Sequence, residues 1–205
     1  MASPKRHFDF TGGHLALDFA NTLDHRGTGQ EKDMVPDYGA LLTWAGEARI
    51  VNDEQFETLW PLARFNPGKT SYVLRDAALL RESLYAIFSA VARNEVAPES
   101  ALKVLNALWQ SGRSATRLVA DAGHQFRWAA NYQRNDLLAV LYPIANAAVE
   151  LLTSGELARV RECASDSCAW LFLDNTKNQR RRWCSMKTCG NRDKARRFYA
   201  RKKLG

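Results

Sequence analysis

Cys163, Cys168, Cys184 and Cys189 are the only cysteines of the 205-residue chain, and their spacing is C-x4-C-x15-C-x4-C. Two close pairs of soft ligands, separated by a stretch long enough for one β-hairpin, suit a tetrahedral ion such as zinc. All four donors are thiolates, so the site is closed to a reacting water and points to a structural ion rather than a catalytic one. A redox pair is disfavoured because four residues, not two, separate the members of each pair. An iron–sulfur cluster, which four thiolates also suit, stays open. A segment of about 45 residues buries too little apolar area to fold unaided. Structural zinc supplies about 10–16 kcal/mol of apparent binding free energy, which becomes folding free energy.

The residues around these thiols are densely basic. From Arg159 onward 14 Lys and Arg stand against 4 Asp and Glu, a net of +10, whereas the preceding residues carry 15 against 18, a net of −3. A mildly acidic body joined to a cationic tail is the asymmetry of a nucleic-acid-binding appendage. Arg180, Arg181 and Arg182 precede Cys184, and Arg192, Arg196, Arg197, Arg201, Lys202 and Lys203 follow Cys189. Closely placed guanidinium groups suit phosphate oxygens, and a helix fits a major groove, so DNA is the expected partner. The competing reading is a solvated helix whose arginines pair with the acidic body.

These residues need elements to place them. Ala164–Ser167 form a tight polar knuckle, and Trp170–Leu173 and Arg180–Trp183 are expected as paired strands around the turn cluster 174–178. A final helix from about Asn191 to Lys203 completes a treble-clef arrangement. Its side bearing Asn191, Ala195, Phe198 and Lys202 is expected to pack on the hairpin. The body reads as mainly helical. Segments 15–23, 38–48 (capped by Asp37), one capped by Asn52 or Asp53, 71–95 and one opened by Pro98 carry apolar residues at three- and four-residue steps. Arg117–Ala120 and Gln125–Ala130 read as a hairpin, and Leu137–Leu152 as a buried helix. The expected fold class is α+β, with a mainly helical domain over residues 1–158 and a zinc finger over 159–205.

Cys184-Ser185-Met186 followed by Cys189-Gly190-Asn191-Arg192, with upstream Trp170-Leu171-Phe172-Leu173-Asp174 and Arg181-Arg182-Trp183-Cys184, resembles the CGNR-type zinc finger. Gly12-Gly13-His14-Leu15-Ala16-Leu17-Asp18-Phe19-Ala20-Asn21-Thr22-Leu23-Asp24 resembles the opening of the ABATE domain that precedes this finger in its family. The resemblance covers nearly the whole chain, with no departure at the four metal positions. It implies a bacterial transcription regulator whose treble-clef finger meets DNA and whose N-terminal domain binds a small-molecule effector. Read physically, Gly190 allows close backbone approach to the metal and Asn191 caps the last helix. Arg192 is the first choice for a phosphate or base contact, with bracing of a backbone carbonyl as its alternative.

If residues 15–25 are helical, His14, Asp18, Asn21 and His25 lie near one face. That stripe either lines a pocket for a small ligand or is an ordinary solvated face. No phosphate-binding glycine loop, nucleophile elbow or paired-carboxylate site is found, and His7 and His124 belong to no constellation. A non-enzymatic function is therefore expected. The rival functions are docking of the finger on a protein or RNA, and small-molecule processing by the body through His14, Asp18 and His25. The N-terminus lacks an apolar leader, and Leu137–Leu152 is too short and too polar to span a bilayer. The chain is thus expected in the cytoplasm, associated with the nucleoid, with reduced thiols. One finger reads few base pairs, which is compatible with a homodimer formed through the body.

Overall fold

The computed structural model describes residues 8–130 and 136–204, with the side chains of Ala130, Arg201, Lys203 and Leu204 outside the described set. The first three helices begin where a side chain satisfies a free donor of the first turn. His14 Nδ1 accepts from Ala16 N at 3.4 Å and opens α1 (Leu15–Ala20). Two-residue strands β1 (Leu23–Asp24) and β2 (Lys32–Asp33) pair antiparallel. Asp37 accepts from Ala40 N at 2.7 Å and opens α2 (Tyr38–Glu47), as its spacing predicts. Asn52 and Gln55 exchange hydrogen bonds in a capping box at the start of α3 (Asp53–Phe65). α4 (Pro67–Ala92) and α5 (Glu99–Ser114) start at or just after prolines, which cost no ladder bond there.

The hairpin expected next is present as β3 (Thr116–Ala120) and β4 (Phe126–Ala130), closed by Asp121, which accepts from Gly123 N and Gln125 N. The apolar run divides. Leu137–Leu141 winds as a 3-10 turn and α6 covers Tyr142–Leu152, because Pro143 lacks an N–H and fits only a first turn. The 26 residues of α4 run through one core, where Leu80, Leu84, Ile87 and Phe88 are buried against Leu17, Phe19 and Trp44 from the N-terminal helices and Leu141 and Ile144 from the C-terminal side. No helix among the described residues is long and apolar enough to cross a membrane.

Three expectations are corrected. The first helix stops at Ala20 rather than reaching Leu23 or His25: Thr22 Oγ1 donates back to Phe19 O, and His25 takes a left-handed φ of 56°. The strand β6 (Leu171–Leu173) pairs not with Arg180–Trp183 but with β5 (Val160–Glu162), so the hairpin encloses the first cysteine pair instead of following it. Arg180–Trp183 runs as irregular chain, touching the knuckle through Ala164 N, which donates to Arg182 O at 2.8 Å. Third, α7 (Asn191–Leu204) does not lay its aromatic side on the hairpin, since Phe198 and Tyr199 are each 64% exposed. The helix carries net positive charge with little apolar area, so little draws it down onto the protein.

Candidate metal centre and nucleic-acid interface

The four cysteines come from three local structures. Cys163 and Cys168 bound the knuckle between β5 and β6. Cys184 ends the irregular stretch, and Cys189 lies in a π turn, Met186–Gly190, that runs into α7. All four are buried, and their sulfurs lie within 4.8 Å of one another. Sulfurs bound tetrahedrally at the usual zinc–thiolate bond length stand about 3.8 Å apart. The observed 3.5 Å between Cys168 and Cys184 and 3.6 Å between Cys184 and Cys189 fit a single ion. A cluster carrying its own irons and sulfides needs a wider cradle, which removes the iron–sulfur alternative. The thiols also polarise one another. Contacts from Cys168, then Cys184, pull the Cys163 thiol far below its ordinary value, while contacts led by Cys163 push Cys168 and Cys184 up. A divalent cation at their centre lets all four ionise together.

The finger is welded to the body through one short strand. Leu171 and Leu173 belong to the body core, whereas Phe172 between them packs with the cysteines and Trp170. Period-two alternation thus spends both faces of β6 on apolar contact, which explains the uninterrupted apolar run there. Polar ties fix its position. Asn21 donates to Leu171 O and accepts from Leu171 N, both at 2.8 Å, acting as a strand partner. Leu173 N donates to Gly12 O at 2.8 Å, and Trp170 Nε1 to Asp24 Oδ1 at 2.9 Å. On β5, Glu162 accepts at 3.0 Å from Tyr85 and Ser89 of α4 and from Arg93 just past its end.

The arginines expected at DNA do different jobs here. Arg181 turns inward: Nε donates to Trp183 O at 2.9 Å, Nη2 to Cys184 O, and the guanidinium stacks 4.4 Å from the Phe172 ring. It braces the loop that presents Cys184. Arg192 donates to Ser167 Oγ at 2.7 Å, tying α7 to the knuckle rather than to a carbonyl. Arg196 pairs with Asp166 and Asp193, and Arg197 with Asp193 at 2.9 Å. Asp193, in the first turn of α7, also favours the positive end of the helix dipole. Arg180, Arg182 and Lys202 are exposed, as are Lys177, Lys187 and Lys194. None of these six has an ion-pair partner among the described residues. The side chains of Arg201 and Lys203 lie outside the described residues. Gly190 makes room for Met186: an added Cβ would sit 2.7 Å from Met186 Sδ. Asn191 donates back to Lys187 O at 3.1 Å instead of capping forward.

The polar stripe is dispersed. His14 is the cap of α1, Asn21 is the partner of β6, and His25 borders a cleft of about 170 Å³ beside the cysteines, shared with Asp24, Ser167 and Arg192. Asp18 is 6% exposed and accepts from Gly12 N at 2.8 Å. Burial raises its carboxyl from 3.8 to about 7, with the Gly12 hydrogen bond opposing the shift. Because the folded value lies above the unfolded one, the stability it contributes is complete below about pH 4 and is lost as pH rises through about 7. Asp18→Asn keeps the acceptor without the charge. Thermal melts should therefore show its stability relative to the parent improving by about 1–3 kcal/mol between pH 5 and pH 8. An advantage that does not change with pH would contradict the shifted carboxyl.

Residues 13–155 match the ABATE family, described as a "putative stress-induced transcription regulator", and residues 159–202 match the CGNR zinc finger. No curated protein matches the chain. A CGNR finger with four converging thiols holds one structural zinc ion.

Proposed function

We propose, on the premise that this chain belongs to the ABATE family and carries a CGNR zinc finger, that it is a non-enzymatic, DNA-binding transcription regulator whose helical body takes a small effector. The observation that carries this reading is the stance of α7. Zinc and the Arg192–Ser167 bond hold its base, and every described side chain beyond Asp193 is exposed. Lys194 and Lys202 are available to phosphates, and Lys177, Arg180, Arg182 and Lys187 extend the cationic surface from the neighbouring loop. Arg196 and Arg197, already paired with acidic side chains, set the shape of the helix start and retain donors that can be shared with a phosphate. Phe198 and Tyr199, in edge contact at 5.6 Å, offer apolar surface for thymine methyls or sugars.

Electrostatic binding of this kind is steeply salt-dependent, losing about 0.9 log unit of affinity per log unit of salt for each phosphate engaged. Gel shifts with zinc-loaded protein and duplex DNA should show such a slope. Lys194→Ala and Lys202→Ala should each reduce it by about 0.9. Absent or salt-independent binding would end the proposal. Competition by structured RNA as effective as that by duplex would move the function to RNA.

A further inference from the structure

We propose that the cleft between α5, α6 and the β3–β4 hairpin binds a small planar aromatic acid. This rests on the reading above that the body takes a small effector, and it gives that effector a place and a chemistry. The cleft encloses about 300 Å³ and is walled by Trp109 and Gly112 of α5, Trp128 of β4, and Tyr142 and Pro143 of α6. That volume lies at the small end of ligand sites. Gly112 is required for the geometry: a Cβ there would come within 2.9 Å of the Tyr142 Cβ, so only glycine lets α5 approach α6 at the floor.

The hairpin supplies the second observation. Its register puts Leu118 opposite Trp128 and Ala120 opposite Phe126, so one face is continuously apolar. Trp128 is nevertheless 58% exposed. A two-stranded hairpin gains little stability by itself in water, and an exposed indole at the mouth of an aromatic cleft is a surface for a flat ligand to stack on.

Charge selects the ligand class. The Arg113 guanidinium lies 4.6 Å from the centre of the Trp128 ring, and Arg113 has no ion-pair partner among the described residues. Its forked donors suit a carboxylate in two parallel hydrogen bonds. An organic cation, which three aromatic rings could otherwise attract, would meet Arg113 already on the Trp128 face. Across the cleft, Glu150 accepts from Asn146 Nδ2 at 2.7 Å, which leaves the carboxylate free to accept from a ligand hydroxyl or ring N–H. The wall that carries Glu150 is the end of α6, a few residues before β5, so occupancy of the cleft bears on the element that seats the finger.

Calorimetric titration of the zinc-loaded protein with 2-naphthoate, without DNA, tests this directly. Saturable binding is expected, weakened at least about tenfold by Trp128→Ala, by Arg113→Gln, and by exchange of the ligand for uncharged 2-naphthalenemethanol. Trp128 and Arg113 are exposed, so neither variant should disturb the fold. Absence of saturable heat, unchanged affinity in Trp128→Ala, or preference for 2-naphthylmethylammonium over 2-naphthoate would overturn the proposal. Because DNA is absent, the outcome stands whichever way the gel shifts fall.

Discussion

Cys184→Ser should abolish metal binding and, with it, the order of everything that zinc alone holds. Metal analysis of the parent should give one zinc per chain, and of the variant none. Hydrogen exchange should then lose protection at the knuckle 163–168, the stretch 182–190 and α7. By contrast β5 and β6 should keep most of theirs, since Val160, Leu171 and Leu173 are buried in the body core and Glu162 is held by Tyr85, Ser89 and Arg93. The boundary between these outcomes runs through Phe172, whose neighbours are the cysteines. The energy at stake is large, about 10–16 kcal/mol of metal binding at neutral pH in small zinc modules, against which a few apolar contacts count for little. DNA binding by the proposed surface should be lost in parallel, because Arg192 and Arg196 tie α7 to Ser167 and Asp166 of the knuckle that zinc holds in place. Protection of α7 that survives chelation would refute zinc as its staple. Collapse of β5 and β6 together with α7 would refute the attachment to the body.

How much of this was legible beforehand divides along the distance over which each residue acts. The cap at Asp37, a cap at Asn52 or Asp53 (Asn52 in the event), the hairpin of Arg117–Ala120 and Gln125–Ala130 and the four-thiol site depend on spacings of a few residues or on ligand chemistry, and all are present. What spacing could not disclose were partners far along the chain. Asn21 looked like one member of a polar stripe, yet its side chain completes a strand edge 150 residues away. Likewise Trp170–Leu173 read correctly as a strand, but its partner was misassigned. A run apolar on consecutive positions signals a strand covered on both faces, and only the body could supply the second cover. Arg181 is the subtler case. In a row of three arginines nothing local separates the one that braces carbonyls from the two that stay exposed; its offset of three from Cys184 is the only signal.

Asn21→Ala should destabilise the protein by about 2–5 kcal/mol, more than any other single polar substitution away from the metal. The side chain is 2% exposed, and both its hydrogen bonds end on the backbone of Leu171, itself fully buried. Truncation strands one donor and one acceptor where water cannot reach them, at about 1–3 kcal/mol for each group. Loss of packing at the end of α1 adds to this. Asn21→Asp separates the hydrogen-bonding argument from simple crowding, since the two side chains have nearly the same size. A carboxylate still accepts from Leu171 N but faces Leu171 O with a second oxygen in place of a donor, and it buries a charge. A protonated carboxyl can donate, so the aspartate variant should recover stability toward acid pH relative to Asn21→Ala, the reverse of what a mere steric fault would do. Thermal melts of both variants from pH 4 to 8 decide it. A loss within about 0.5 kcal/mol in Asn21→Ala, the range of ordinary surface changes, would mean that β6 is held by its apolar residues alone. The remaining ties, Leu173 N to Gly12 O and Trp170 Nε1 to Asp24, keep the strand seated below the melting point. Zinc content and DNA binding at low temperature should therefore stay near those of the parent, which distinguishes a weakened seam from a broken finger.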